Sequence, residues 1–339
     1  MAKKALSAVV ALVVLHCAFS TTARAQAGSN CWGVVYTSWI EGYQPLPPGA
    51  FNCQLYLFTS VGCWIVLHWC APAAAASETC QDCVKGIGGG PISLASGNTY
   101  LEENDVRLPG LSGGLSLDRT WNSLWPVTQT AYQIGLFGPN WRSTYEERVF
   151  VGADHYIKYG RSDGTFWSFG YGPGGFNVAA PANVTATLVE GANNWTLTFQ
   201  NGEQRLFDNT TGHLTAIIDR NGNTTTLTYD SVGRLVTVTD PVSRQLYFNY
   251  GNGSSYLVTS VTSNVGVTVS YSYDGQGRLT QVTEPDGSTL AFQYDSNSFI
   301  SAVLDSQGKV LESHTYDSSG RGLTSARANG VEAITISYQ

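Results

Sequence analysis

Charge is scarce in this 339-residue chain: Asp, Glu, Lys and Arg together make up 13% of it. Lysine is confined to Lys3, Lys4, Lys85, Lys158 and Lys309, and the formal net charge is −7. A chain this acidic lacks the basic footprint that nucleic-acid binding requires. Cysteine is missing from every position after Cys83, so cross-linking is confined to the N-terminal quarter. No amphipathic helical stretch of useful length follows the first 25 residues, which argues against an α fold. Long hydrophobic runs are also missing. The best, Leu55 to Ala71, is 17 residues long and contains Thr59, Ser60, Gly62 and His68. A spanning helix needs about 20 predominantly apolar residues, so this run reads as buried strands. Gly, Thr, Ser, Asn and aromatic residues are plentiful, as in an exported β protein with many turns.

Residues 1–25 have the form of a secretory signal peptide. Lys3 and Lys4 supply the positive start, Ala5 to Phe19 the apolar stretch, and Ala23-Arg24-Ala25 the cleavage site before Gln26. The competing lipoprotein reading would use Cys17, but His16 is the wrong residue before it. Removal of Lys3, Lys4 and Arg24 leaves 15 basic against 25 acidic residues, a net of −10. The expected compartment is secreted, periplasmic or cell-surface.

Residues 26–90 are expected to form a small module and linker stapled by disulfides among Cys31, Cys53, Cys63, Cys70, Cys80 and Cys83. The sequence does not choose among the possible pairings. A metal site from His68, Cys70, Cys80 and Cys83 is the rival reading; export and the even count favour disulfides.

The last 130 or so residues carry an internal repeat, which fixes architecture before any single site is considered. It opens at Phe207-Asp208, Tyr229-Asp230, Tyr250-Gly251, Tyr273-Asp274, Tyr294-Asp295 and Tyr316-Asp317, with spacings of 22, 21, 23, 21 and 22 residues. A seventh copy would open at Tyr338. The clearest copies continue with Gly233-Arg234-Leu235, Gly277-Arg278-Leu279 and, with Gly in place of Leu, Gly320-Arg321-Gly322. Asp bonds its own backbone two residues on and Gly accepts positive φ, so each opening is a turn. Runs such as Leu235-Val236-Thr237-Val238-Thr239 alternate with a period of two and read as half-buried strands. A second turn, such as Glu284-Pro285-Asp286-Gly287, follows about 11 residues later, so each repeat is one β-hairpin. A hairpin cannot bury its apolar face alone, and neighbours must stack. The Tyr is expected to pack across strands, and the Gly-Arg pair to be a turn residue plus a solvated charge.

This Tyr-Asp-x-x-Gly-Arg-Leu pattern resembles the YD repeats of Rhs proteins, also found in insecticidal toxin-complex subunits and animal teneurins. The segments Pro91 to Asn98, Asp105 to Gly110, Leu115 to Ser123 and Trp141-Arg142-Ser143 resemble the opening region upstream of those repeats, with Trp121 where Tyr is usual. The resemblance implies an all-β tandem hairpin array forming a curved or spiralling sheet over 207–339, preceded by a β-rich domain over 91–206. It also implies a shell around a C-terminal toxin, used in contact-dependent competition or toxin delivery. Six repeats supply only about 12 strands, so the expectation is a fragment or truncated paralogue. Its expected partner is a further YD-repeat or toxin polypeptide, and its exposed last strand at Thr335 to Tyr338 is an edge that invites pairing. The alternative is a cell-surface module that binds carbohydrate or protein.

Chemical motifs are weak. Gly110-Leu111-Ser112-Gly113-Gly114 matches a nucleophile elbow, which needs a strand before it and a helix after it. Gly170-Tyr171-Gly172-Pro173-Gly174-Gly175 has no following helix to bind phosphate and reads as a surface loop. His68, His155, His213 and His314 lack metal-pair spacing. Glu102, Glu103 and Asp105 read as a solvated turn. No catalytic residue, cofactor or metal is therefore expected.

Overall fold

The computed structural model describes residues 54–60, 63–69, 87–88, 92–94, 96–124, 134–152, 156–172, 175–181, 184–251 and 255–338. The signal peptide and all the candidate cysteines except Cys63 lie outside them. Where tempting apolar sequence stood, β1 (Gln54–Ser60) and β2 (Cys63–Trp69) form an antiparallel pair. Among the described residues no helix is long and apolar enough to cross a membrane.

Next come β3 (Ile87–Gly88) and β4 (Ile92–Ser93), then β5 (Tyr100–Leu108) and β6 (Leu115–Asn122). A short ribbon of β7 (Ile134–Gly135) and β8 (Gly138–Pro139) leads to β9 (Trp141–Ser143), which joins β5 and β6 in a three-stranded sheet. Among the described residues, every strand after residue 147 belongs to one 19-stranded antiparallel sheet whose order follows the chain. Its early strands are β10 (Arg148–Val151), β11 (Ile157–Gly160), β12 (Phe166–Gly172), β13 (Gly175–Ala180), β14 (Ala186–Glu190), β15 (Asn194–Phe199) and β16 (Gln204–Asp208). The repeats then contribute β17 (Leu214–Ile218), β18 (Thr224–Tyr229), β19 (Leu235–Thr239), β20 (Gln245–Tyr250), β21 (Val258–Ser263) and β22 (Thr268–Tyr273). The sheet ends with β23 (Leu279–Thr283), β24 (Thr289–Tyr294), β25 (Ile300–Leu304), β26 (Val310–Tyr316), β27 (Gly322–Arg327) and β28 (Val331–Thr335).

The early strands roll. The Val149 N–H donates to the Gly212 carbonyl at 3.0 Å and Arg148 bridges to His213, so β10 returns to the turn that precedes β17. Tyr159 on β11 fills the roll, edge-on to Trp167, Phe199 and Phe207 at 5.5, 6.2 and 5.9 Å between ring centroids. The division expected at residue 206 falls inside β16, between Leu206 and Phe207, where the ladder to β17 shifts register while pairing continues on both sides.

A correction concerns the period. In β19 the buried residues are Leu235 and Val238, three apart rather than two. The ladder explains it: Tyr229 faces Leu235 while Thr228 faces Thr237, leaving Val236 unpaired in a β-bulge. The same shift follows the turns at Tyr250, Tyr273, Tyr294 and Tyr316. The extra residue rotates the strand so that Val258 and Val261, Leu279 and Val282, and Ile300 and Val303 all reach the core. Bulges also bend and twist the strands that carry them.

Candidate functional site

Three of the YD openings build the same device. In the turn after Tyr229, one Asp230 carboxylate oxygen accepts the N–H of Val232 at 3.0 Å and of Arg234 at 2.9 Å. The other oxygen takes the Arg234 Nε–H at 2.7 Å, and Gly233 adopts φ +85°. The Arg234 backbone N–H, together with its side chain, holds the Asp230 carboxyl below its ordinary range. Asp274 with Arg278 and Asp317 with Arg321 repeat this geometry at 2.7 Å. The Asp208 opening has no arginine: one oxygen of its carboxylate takes the N–H groups of Thr210 and Thr211. Asp295 likewise caps a turn, at Asn297 and Phe299.

The arginine is not the solvated charge that the sequence suggests. Arg234 lies over the ring of Tyr250, Arg278 over Tyr294 and Arg321 over Tyr338, at 4.8, 4.7 and 4.2 Å from the ring centroids. At two openings without arginine another ring takes its place: His213 stacks on Tyr229 at 4.7 Å and Phe299 tilts over Tyr316 at 5.0 Å. Each Tyr then reaches back with its hydroxyl to the strand that begins the preceding repeat. Tyr229 donates to the Leu214 carbonyl, Tyr250 to Leu235, Tyr273 to Val258, Tyr294 to Leu279, Tyr316 to Ile300 and Tyr338 to Gly322, at 2.6 to 2.8 Å. Burial pushes the Tyr294 hydroxyl up to about 12, so it stays a donor. Asp shapes the turn, Arg or its substitute covers the next Tyr, and that Tyr ties two repeats together. Phe207 fills the first Tyr position as a fully buried ring without a hydroxyl.

The clamp sets a local prediction. Tyr294→Phe will cost about 1 kcal/mol in urea unfolding, because the Leu279 carbonyl loses its donor. Arg278→Lys will not match arginine, since an ammonium lacks the flat fork that bonds Asp274 and stacks on Tyr294 together.

The inner face of the repeats carries a second pattern, two residues before each Tyr: Leu227, Phe248, Tyr271, Phe292 and His314 are all buried there. The described residues between Ile92 and Glu147 lie across this row, meeting successive repeats with aromatic residues. Tyr145 packs edge-on to Phe248 at 6.2 Å, Phe137 tilts on Tyr271 at 4.7 Å, Trp141 meets Phe292 at 5.3 Å and Trp121 meets Tyr316 at 6.3 Å. Gly322 fits this seat. A Cβ there would strike Ile92 and Thr99, so the space a Leu would occupy is filled from the N-terminal segment.

At the centre of the seat is a buried ion pair. Arg119 and Asp105 are 0% and 4% exposed, and Arg119 grips the carboxylate with Nε and Nη2. The Tyr271 hydroxyl donates to the same carboxylate at 2.6 Å, joining β5 to β22. Trp141 and Tyr271 also lie over the guanidinium, at 4.7 and 5.5 Å. Glu102, Glu103 and Asp105 are thus not a solvated turn. They sit in strand β5, and its pleat sends Glu102 outward and Asp105 into the seat.

The other sequence motifs land apart from one another. Ser112 lies in the tip of the β5–β6 hairpin with φ +56°, and strand β6 follows it instead of a helix, so the nucleophile-elbow context is missing. Gly170 to Gly172 belong to strand β12 rather than to a loop. Arg244 pins the hairpin tip by donating to the Pro109 and Leu108 carbonyls.

Stacked hairpins stapled turn to turn, with a segment laid along their inner face, define a YD-repeat scaffold. Residues 192–329 match the family described as Teneurin YD-shell, and residues 89–169 match a domain of unknown function, DUF6531. Over 149 residues the chain is 31% identical to the tRNA nuclease WapA of Bacillus subtilis (strain 168). It is equally similar to the tRNA3(Ser)-specific nuclease WapA of Bacillus spizizenii. The match covers 44% of this chain and 6% of each relative. Among solved structures, TcdB2-TccC3 aligns with a TM-score of 0.30 at 11% identity, over 78% of this chain and 18% of that one. The chain is an Rhs/YD-repeat protein.

Proposed function

We propose that this chain is an exported, non-enzymatic wall of a YD shell, serving the containment or delivery of a toxin polypeptide. The observation that carries this reading is the tyrosine-to-carbonyl clamp, which recurs in step from Tyr229 to Tyr338. A device repeated at every hairpin serves mechanical continuity, whereas catalysis concentrates unlike groups at one place. The inner face supports the same role: its row of buried side chains is mostly apolar and is already covered by folded polypeptide of the same chain. The nuclease names of the relatives attach to proteins of which the matched stretch is 6%, which is consistent with a wall region carried beside a catalytic one.

Two measurements test the reading. Purified chain incubated with total tRNA is expected to leave it intact; cleavage would overturn the non-enzymatic part. Co-expression with the polypeptide encoded beside it should shield that polypeptide from added protease. Equal digestion with and without the chain would overturn the containment part.

A further inference from the structure

One repeat lacks both the Asp and the Arg of the turn. After Tyr250 the usual Asp is Gly251, no arginine follows, and Tyr256 is left 55% exposed. Tyr256 stands on the lip of a cleft of about 390 Å³ between residues 135–148 and three successive YD turns. We propose that this cleft binds a neutral pyranose unit of a glycan.

The shape and lining select that class. A volume of this size lies in the range of small-ligand sites. Leu136 and Leu235 give the cleft apolar walls, and Tyr229 contributes a ring whose hydroxyl is already spent on the Leu214 carbonyl. An exposed tyrosine ring beside such walls offers a face to the C–H side of a sugar, with its polar tip in water. The lining carries both signs, Arg142 and Arg148 with Glu146 and Glu147, and these groups are engaged within the protein: Arg142 on the Trp141 carbonyl, Arg148 on the Thr211 carbonyl, Glu146 with Ser143 and Glu147 with Arg205. His213 adds no charge near neutral pH, because burial, with Arg148 beside it, pushes its imidazole down to about 4. A phosphate or acidic peptide would meet two carboxylates, and a cation would meet two guanidiniums. An uncharged ligand that stacks on the exposed ring and the apolar walls avoids both conflicts.

The test uses the full chain on an array of neutral, sialylated and sulfated oligosaccharides, with hits titrated by calorimetry. Neutral hexose glycans are expected to bind, and Tyr256→Ala is expected to weaken them about tenfold. The thermal midpoint should not change, because Tyr256 is exposed. Three results would overturn the assignment: no binding of neutral glycans, binding confined to acidic glycans, or neutral binding untouched by Tyr256→Ala. A Leu136→Asp variant gives an independent check on the wall, and binding that survives it would also count against the cleft.

Discussion

Asp105→Ala will destabilise the protein by about 3–5 kcal/mol, the range for removing one partner of a buried ion pair. The cost arises from what is left behind. Arg119 is fully buried, and Asp105 takes two of its N–H groups and the Tyr271 hydroxyl. Burial disfavours the Arg119 cation, and the neighbouring carboxylate more than offsets this, so its pKa stands above the usual arginine value. Without Asp105 the cation keeps aromatic faces and the neighbouring Glu103 carboxyl but loses its hydrogen-bonded counter-charge, and Tyr271 loses its acceptor. Asp105→Asn, which keeps the volume and one acceptor, will cost less than Ala. Urea unfolding gives the magnitudes, and limited proteolysis should place the new cut sites between residues 92 and 147. A loss below about 1 kcal/mol, the level of an exposed pair, would mean that the pair does not hold the seat.

Stability will fall as pH rises from about 5 to 8. Glu103 is pushed up to about 7 by burial first, with Arg119 opposing and Asp105 and Glu312 adding to the rise. Glu284 is likewise pushed up to about 7 by burial, with Asp105 adding, Arg119 opposing and Glu103 and Asp286 adding. Both groups start from an ordinary value of 4.5, so between 4.5 and about 7 the folded chain binds more protons than the unfolded chain. Their protonation therefore supports the fold at pH 5 and is lost by pH 8. For Glu103 the swing is on the order of 3 kcal/mol at most. The more exposed Glu284 contributes less because solvent screens it. The turn aspartates act in the opposite sense: Asp208 and Asp230 are held below 3.8, so their support is present at pH 5 and fades in stronger acid. His213, pushed down to about 4 by burial, acts against the two glutamates: between about 4 and 6.5 only the unfolded chain binds its proton, so it offsets part of their decline there. Glu103→Gln should flatten the decline between pH 5 and 8; an unchanged slope would exclude Glu103 as its source.

The sequence made the repeat legible because its determinants are local. Asp230 bonds residues two and four positions on, and Gly233 needs positive φ, so both leave a mark within five residues. The bulge at Val236 was not legible, because it is a mismatch between two strands and leaves no residue type of its own. Nor was the role of Arg234, whose stacking partner Tyr250 lies one repeat away. The seat was the hardest feature to see. Its central hydrogen bond joins Asp105 to Tyr271 across 166 residues, and an acidic cluster reads as solvated until that partner is found. One signal was available: Phe248, Tyr271 and Phe292 each stand two residues before a repeat Tyr, which marks a second apolar row. Such a row needs something to cover it.

Hydrogen exchange on the full chain is the most direct test of a wall with its N-terminal segment built into it. Amides of β5 and β6 should exchange with the same protection as those of β22 to β26, and Asp105→Ala should lower both together. Rapid exchange across residues 100–122 alongside a fully protected repeat sheet would contradict the account.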